Sequence, residues 1–98
     1  MYSSISNDEF YQKETREKLI VLDVREVDEF QRGHIPSSKN LPLSELGNRY
    51  HELDKGTVYY IICQFGGRSA RACDFLSNKG LDVKNVMGGM SSWKGEVV

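Results

Sequence analysis

The sequence predicts an α/β fold with a small, mainly parallel central sheet and helices on both of its faces. Two continuous hydrophobic runs, residues 19–22 and 58–62, are rich in β-branched and aromatic side chains. Runs that are hydrophobic on both faces are typical of strands in the middle of a covered parallel sheet. Segments with helical periodicity separate the runs, and this alternation predicts parallel strands joined by helical crossovers.

Three helices are predicted from their start and stop signals. Ser6 and Glu9 have the spacing of a capping box, which opens a helix running to about residue 18. A short helix is expected over residues 26–32, where Gly33 stops it. Another helix begins at residue 42 and runs toward residue 50.

The second half of the chain contains the clearest helix, over residues 69–79. Four of its residues recur at helical spacing and predict one buried stripe: Ser69, Ala72, Cys73 and Leu76. Gly80 follows as a stop signal. Residues 40–41 and 83–86 are shorter strand candidates, and residues 90–94 are a candidate for a last short helix.

Length and charge predict one domain over residues 1–98, because 98 residues suffice for one modest core. The net charge of -1 gives no electrostatic attraction toward nucleic acid or a membrane surface. The first residues lack a secretory pattern, and no apolar stretch reaches the roughly 20 residues that span a bilayer. The two cysteines fit neither a disulfide framework nor zinc spacing. We therefore expect a cytoplasmic protein with reduced thiols and no metal.

The chemistry is predicted to lie where Cys63 ends the second hydrophobic run. Ligands of open α/β sheets bind outside the carboxyl ends of the strands. Gly66 and Gly67 allow a tight loop whose N–H groups turn inward, next to the start of the helix near Ser69. Such a nest binds anions and would favour the nucleophilic thiolate of Cys63. Arg68 would add a fixed cation that helps to attract an anionic substrate.

Each cysteine also has a purely structural interpretation, because free cysteine often acts as a small buried hydrophobe. The hydrophobic run alone gives Cys63 even odds of being core, and the glycines and arginine after it favour function. For Cys73, the buried stripe favours core packing. A role as a resolving thiol for Cys63 stays open.

The loop pattern Cys-x-x-Gly-x-Arg, formed here by Cys63, Gly66 and Arg68, resembles the active-site loop of the rhodanese family. Further segments resemble that family in order and spacing, from about residue 5 to residue 93. They are Leu22-Asp23-Val24-Arg25-Glu26, Glu29-Phe30, Gly33-His34-Ile35-Pro36, Asn40-Leu41-Pro42, Val86-Met87-Gly88-Gly89-Met90 and Trp93. The resemblance implies a rhodanese-like fold and a sulfurtransferase.

Family members carry sulfane sulfur as a persulfide on one cysteine, without a metal or organic cofactor. The resemblance implies that Cys63 is this catalytic residue. It places the sulfur-binding cradle in the residues that follow, which are Gln64, Phe65, Gly66, Gly67, Arg68 and Ser69. The six-residue loop has the length linked to sulfur chemistry, whereas the related cell-cycle phosphatases have one residue more. Thiosulfate or a persulfide would donate sulfur, and a thiol, cyanide or a partner protein would accept it.

The resemblance also suggests roles for residues near the loop. Asp23 and Arg25 are expected to anchor loops through hydrogen bonds and an ion pair. Gly88 and Gly89 are expected to allow a tight turn close to the Cys63 loop. Phe65 would either form an apolar wall beside the sulfur or dock an acceptor protein.

Two other functions stay open on the sequence. The first is a persulfide-relay or docking module with little thiosulfate turnover. The second is a redox switch or arsenate-reductase-like enzyme that joins Cys63 and Cys73 in a disulfide. The second would require the two Cα atoms to lie within roughly 7 Å.

Overall fold

The computed structural model describes residues 1–98 and contains one five-stranded sheet in which every pairing is parallel. The strand order is β1-β5-β4-β2-β3. The strands are β1 (Ser3–Ile5), β2 (Ile20–Asp23), β3 (Lys39–Asn40), β4 (Val58–Ile62) and β5 (Asp82–Val86). The predicted α/β fold is confirmed, and β4 has the predicted bounds.

Four α-helices connect the strands: α1 (Asn7–Arg16), α2 (Val27–Arg32), α3 (Leu43–Arg49) and α4 (Gly67–Asn78). The structure also has two 3-10 turns, Tyr50–Glu52 after α3 and Gly89–Ser92 after β5. The expected helix start at Ser6 is present, since its hydroxyl accepts a hydrogen bond from the Glu9 N–H at 3.1 Å. None of these helices is long and apolar enough to cross a membrane.

The hydrophobic core lies on both faces of the sheet, because successive residues of a strand point to opposite sides. In β4, Tyr59 and Ile61 face the core shared with α3 and α4, whereas Tyr60 and Ile62 face the core around Phe10 of α1. The expected placement of helices on both faces is confirmed. That residues 1–98 form a single domain stays a prediction.

Several elements differ from the predictions. Strand β1 was not predicted, because it is a three-residue edge strand in which only Ile5 is buried. Helix α1 ends at Arg16, two residues early, since Glu17 is already extended toward β2. The expected helix over residues 90–94 is instead the 3-10 turn at Gly89–Ser92.

Helix α4 begins at Gly67, not near Ser69 as predicted. Gly66 precedes it with a φ of 106°, in the left-handed region where glycine has no steric penalty. This conformation turns the chain into the helix two residues early. Gly67 and Arg68 therefore belong to the first turn of α4.

A buried ion pair anchors the loops at the carboxyl edge of the sheet. The Asp23 carboxylate accepts hydrogen bonds from the Arg25 backbone N–H at 3.0 Å and from Nη2 of the Arg25 guanidinium at 2.8 Å. Arg25 Nη2 also donates to the Gly33 carbonyl oxygen at 2.8 Å. Both side chains are buried. The expected anchoring role of this pair is confirmed.

We predict that Asp23→Asn lowers the free energy of unfolding by about 3–5 kcal/mol, because Arg25 is left buried without a counter-charge. Urea denaturation measures the change. Asp28→Asn is the matched control, since it breaks the Asp28–Arg32 pair, whose side chains are 70% and 73% exposed. That control should cost less than about 1 kcal/mol. Equal losses in the two variants would contradict the anchoring role.

Candidate active site

Cys63 directly follows β4, and residues 63–66 lead from this strand into α4. The N–H groups of the loop converge on its sulfur. The Gly66 N–H donates to Cys63 Sγ at 3.1 Å, and the Ser69 N–H donates at 3.2 Å. The Ser69 hydroxyl oxygen lies 3.3 Å from the same sulfur. The inward-facing donors expected from the glycines are therefore present.

The sulfur lies in a buried position, since Cys63 retains only 1% of its accessible surface. Burial, the largest single influence, raises the pKa of the Cys63 thiol. Hydrogen bonds from the Ser69 hydroxyl and from the N–H groups of Ser69, Gly66 and Phe65 together outweigh it. The pKa of Cys63 consequently lies below its ordinary value, so Cys63 ionises more readily than an ordinary thiol.

Arg68 does not face the sulfur as a free cation, which corrects the expectation from the sequence. Its guanidinium binds both carboxylate oxygens of Glu29 in α2, Nη1 to Oε1 at 2.6 Å and Nη2 to Oε2 at 2.9 Å. The hydrogen bonds from Arg68 hold the pKa of Glu29 at about 2 although partial burial opposes this. Arg68 thus ties the first turn of α4 to α2, and its charge reaches Cys63 only from a distance.

The side chains of Gln64 and Phe65 lie in different surroundings. Gln64 lines a polar cavity of about 260 Å³ together with Arg25, Glu29, Arg32 and Gly33. Phe65 is 74% exposed. A ring with that exposure does not wall off a buried sulfur. Of the two roles considered for Phe65, the structure therefore favours contact with another molecule.

The turn after β5 holds the other side of the loop. Met90 N–H donates to the Cys63 carbonyl oxygen at 2.8 Å, and Ser91 N–H donates to the Gln64 carbonyl oxygen at 2.9 Å. Gly89 has a φ of 56°, and a Cβ at this position would collide with the Cys63 carbonyl oxygen. The expected close approach of the two glycines to the loop is confirmed.

Cys73 is a core residue, as the buried stripe of α4 predicts. It is fully buried, and both cysteines are free thiols. Burial, with a contribution from the charge of Cys63, raises the pKa of Cys73 to about 12. A thiol with such a pKa is a poor nucleophile near neutral pH, which weighs against its use as a resolving thiol.

Sequence reasoning missed the residue behind Ser69. Asn85 of β5 is 7% exposed, and its side-chain oxygen accepts a hydrogen bond from the Ser69 hydroxyl at 2.5 Å. The only signal in the sequence was a polar residue within a predicted buried strand. Buried polar side chains require hydrogen-bond partners, but a pattern does not show which partner is used.

Comparison with known proteins identifies the family. The sequence model of the rhodanese-like domain family matches residues 6–96. The chain belongs to the rhodanese-like family. The solved structure of a rhodanese-related protein from Thermoplasma volcanium has a TM-score of 0.91 and 40% sequence identity, covering 99% of this chain and 98% of that one. The rhodanese-like resemblance noted in the motifs is confirmed, as is the fold.

Two curated Bacillus subtilis proteins place this rhodanese-like chain among sulfurtransferases and sulfur carriers. YrkF, provisionally named a sulfur carrier protein, is 40% identical over 94 residues, which are 94% of this chain and 51% of YrkF. YtwF, provisionally named a sulfurtransferase, is 37% identical over 83 residues, covering 85% of this chain and 81% of YtwF. The chain therefore spans about half the length of YrkF.

We predict that iodoacetamide modifies the native protein at Cys63 and spares Cys73. The rate should rise with a midpoint below the ordinary thiol pKa of about 8.5, because the folded loop stabilises the thiolate. Peptide mass spectrometry identifies the modified site, and the unfolded protein, in which both thiols react, is the control. A midpoint at or above the ordinary value would show that burial dominates over the hydrogen bonds.

Proposed function

We propose that this rhodanese-like protein transfers sulfane sulfur through a persulfide on Cys63. The observation that carries the proposal is the convergence of backbone N–H groups on the buried Sγ. These donors stabilise negative charge on sulfur, whether the charge belongs to a thiolate or to a persulfide. We assign Gln64, Phe65, Gly66, Gly67, Arg68 and Ser69 to the surroundings of this sulfur, with different roles for each.

In the first half-reaction the Cys63 thiolate attacks the outer sulfur of thiosulfate. A bond forms between Sγ and that sulfur, and the sulfur–sulfur bond of thiosulfate breaks. Sulfite leaves with the electron pair, so the thiolate and thiosulfate become a persulfide anion and sulfite. A small-molecule or protein persulfide would donate sulfur by the same displacement, with a thiolate leaving instead. No cofactor takes part in this scheme.

In the second half-reaction an acceptor attacks the outer sulfur of the persulfide. A thiolate becomes a persulfide, or cyanide becomes thiocyanate, and the Cys63 thiolate leaves with the electron pair of the broken bond. The same N–H donors that stabilise the starting thiolate make it a good leaving group. The cycle starts from a reduced Cys63 and returns to it, which suits a cytoplasmic setting.

Relay to a protein acceptor is the second candidate function, and Phe65 favours it. An aromatic ring that is 74% exposed on the active-site loop offers a contact that small donors such as thiosulfate do not need. Aromatic side chains are enriched at protein interfaces. The provisional name of YrkF describes that relative as a sulfur carrier.

We predict that incubation with excess thiosulfate adds one sulfur atom to the protein, detected by intact mass. A reducing thiol should remove it. Cys63→Ser should abolish both the added mass and cyanide-dependent turnover, because a hydroxyl forms no persulfide. Cys73→Ser is the matched control and should retain both. Sulfur addition to the Cys63→Ser variant would rule out the proposed carrier site.

We predict that Phe65→Ala impairs transfer to an apolar acceptor more than transfer to cyanide. The acceptors to compare are a cysteine peptide with flanking leucines, the same peptide with flanking serines, and cyanide. Loss of a buried aromatic contact should lower the rate with the leucine peptide roughly tenfold. The rates with the serine peptide and with cyanide should fall much less. Equal losses for all three would place Phe65 in the chemistry of the sulfur itself.

A further inference from the structure

The Ser69 hydroxyl lies between the reactive sulfur and a buried amide. Its oxygen is 3.3 Å from Cys63 Sγ and 2.5 Å from the side-chain oxygen of Asn85. The Gly66 carbonyl oxygen, at 3.1 Å, is a second acceptor for the Ser69 hydroxyl and also accepts the Ala70 N–H at 3.2 Å, but the Asn85 oxygen is the nearer of the two acceptors. The three side chains of Cys63, Ser69 and Asn85 form one buried chain of hydrogen bonds.

The direction of this chain follows from counting protons, because a hydroxyl has one hydrogen to donate. In the structure the Cys63 thiol donates to the Ser69 oxygen, and the Ser69 hydroxyl donates to the Asn85 oxygen. The first of these bonds uses the thiol proton, and the second uses the hydroxyl proton. This is therefore the arrangement of the protonated, sulfur-free protein.

Loss of the thiol proton changes the direction of the hydrogen bond between Cys63 and Ser69. A thiolate has no hydrogen, so Ser69 keeps a hydrogen bond to Cys63 Sγ only if its hydroxyl turns and donates to the sulfur. The Ser69 oxygen then faces the Asn85 oxygen across a short contact between two acceptors. A carboxamide relieves this contact by rotating its planar end, which replaces the oxygen with an NH₂ donor in nearly the same place. The Sγ of a persulfide on Cys63 carries no proton either, so it too can only accept a hydrogen bond from Ser69.

We propose that Asn85 is a positioning residue whose amide end turns over with the proton state of Cys63, so that Ser69 accepts from the thiol and donates to the thiolate. This inference rests on the proposed function and deepens it. Asn85 does not touch the reacting sulfur and acts only through Ser69. Neither an aspartate, which only accepts, nor a leucine, which does neither, could serve both states.

The position of Asn85 supports a role beyond packing. It lies on β5, whose neighbour β4 leads to Cys63, and points to the face of the sheet that α4 covers. The titratable groups whose charge interacts with that of Cys63 are Arg68 and Cys73, both from α4. Substitution of Asn85 leaves both in place. A changed thiol titration in an Asn85 variant would therefore report on the Ser69 hydrogen bond.

The test is the pH titration of the thiolate ultraviolet absorbance, which does not require reagent access or sulfur transfer. Ser69→Ala should shift the midpoint upward by about one pH unit, because the thiolate loses a hydrogen bond. Asn85→Leu should shift it upward by about half as much, and Asn85→Asp by at least as much as Asn85→Leu. In the Ser69→Ala background, Asn85→Leu should add nothing. Asn40→Leu is the structural control and should leave the midpoint in place, since Asn40 binds only the backbone carbonyls of Asp23 and Arg25.

Two results would overturn the proposal: an unchanged midpoint in Asn85→Leu, or an equal shift with and without the Ser69 hydroxyl. If the Asn85 variants do not fold, NMR of the native protein decides. The Asn85 side-chain NH₂ resonances should titrate with the same midpoint as the thiolate absorbance. Resonances that stay constant would refute the rotation of the Asn85 amide. A protein that passes these tests but gains no sulfur either from thiosulfate or from a small-molecule persulfide would refute the proposed function alone.

Discussion

The active-site loop is arranged around one constraint, which is to stabilise negative charge on the almost completely buried sulfur of Cys63. Burial by itself raises the pKa of Cys63, and the pKa nevertheless lies below its ordinary value because several hydrogen-bond donors point at Sγ. Two of these donors are backbone N–H groups within 3.2 Å, which cannot rotate away as side chains do. Their direction is a property of the loop. The left-handed turn at Gly66 is therefore an electrostatic feature as well as a conformational one.

A loop that works through fixed dipoles must be held still, and neighbouring elements contact it on separate sides. Arg68 binds Glu29 of α2 through two hydrogen bonds. On the other side, the turn after β5 donates two backbone N–H groups to the carbonyls of Cys63 and Gln64. These contacts satisfy the outward-facing carbonyl oxygens and leave the N–H groups free to face inward. The arginine of the motif thus contributes structure at Glu29, where sequence reasoning expected direct attraction of the substrate.

The parts of the fold that were predictable are those governed by short-range chemistry. The run at residues 58–62 is hydrophobic on both faces, which is typical of a central strand, and the capping hydrogen bond of Ser6 joins residues only three positions apart. Strand β1 and the start of α4 could not be predicted in the same way. The first exists because β5 offers it an edge, and the second because the loop tightens around a sulfur. The Arg68–Glu29 and Ser69–Asn85 pairs join residues 39 and 16 positions apart, which no local pattern encodes.

Backbone amides recognise charge, and they distinguish poorly between anions that carry it. A site built from them can hold a thiolate, a persulfide or the end of an anionic donor, so the choice of donor and acceptor must come from side chains around the loop. Two parts of the surface near the loop differ in chemistry. One is the exposed ring of Phe65, and the other is the polar cavity of about 260 Å³ that Gln64 shares with Arg25, Glu29 and Arg32. An apolar protein acceptor would contact the first, and a polar group would contact the second. The ring of Phe65 and the cavity at Gln64 are separate, and both lie near the same sulfur. A substitution in either one can therefore change which donor or acceptor binds without altering the backbone N–H groups that stabilise the thiolate.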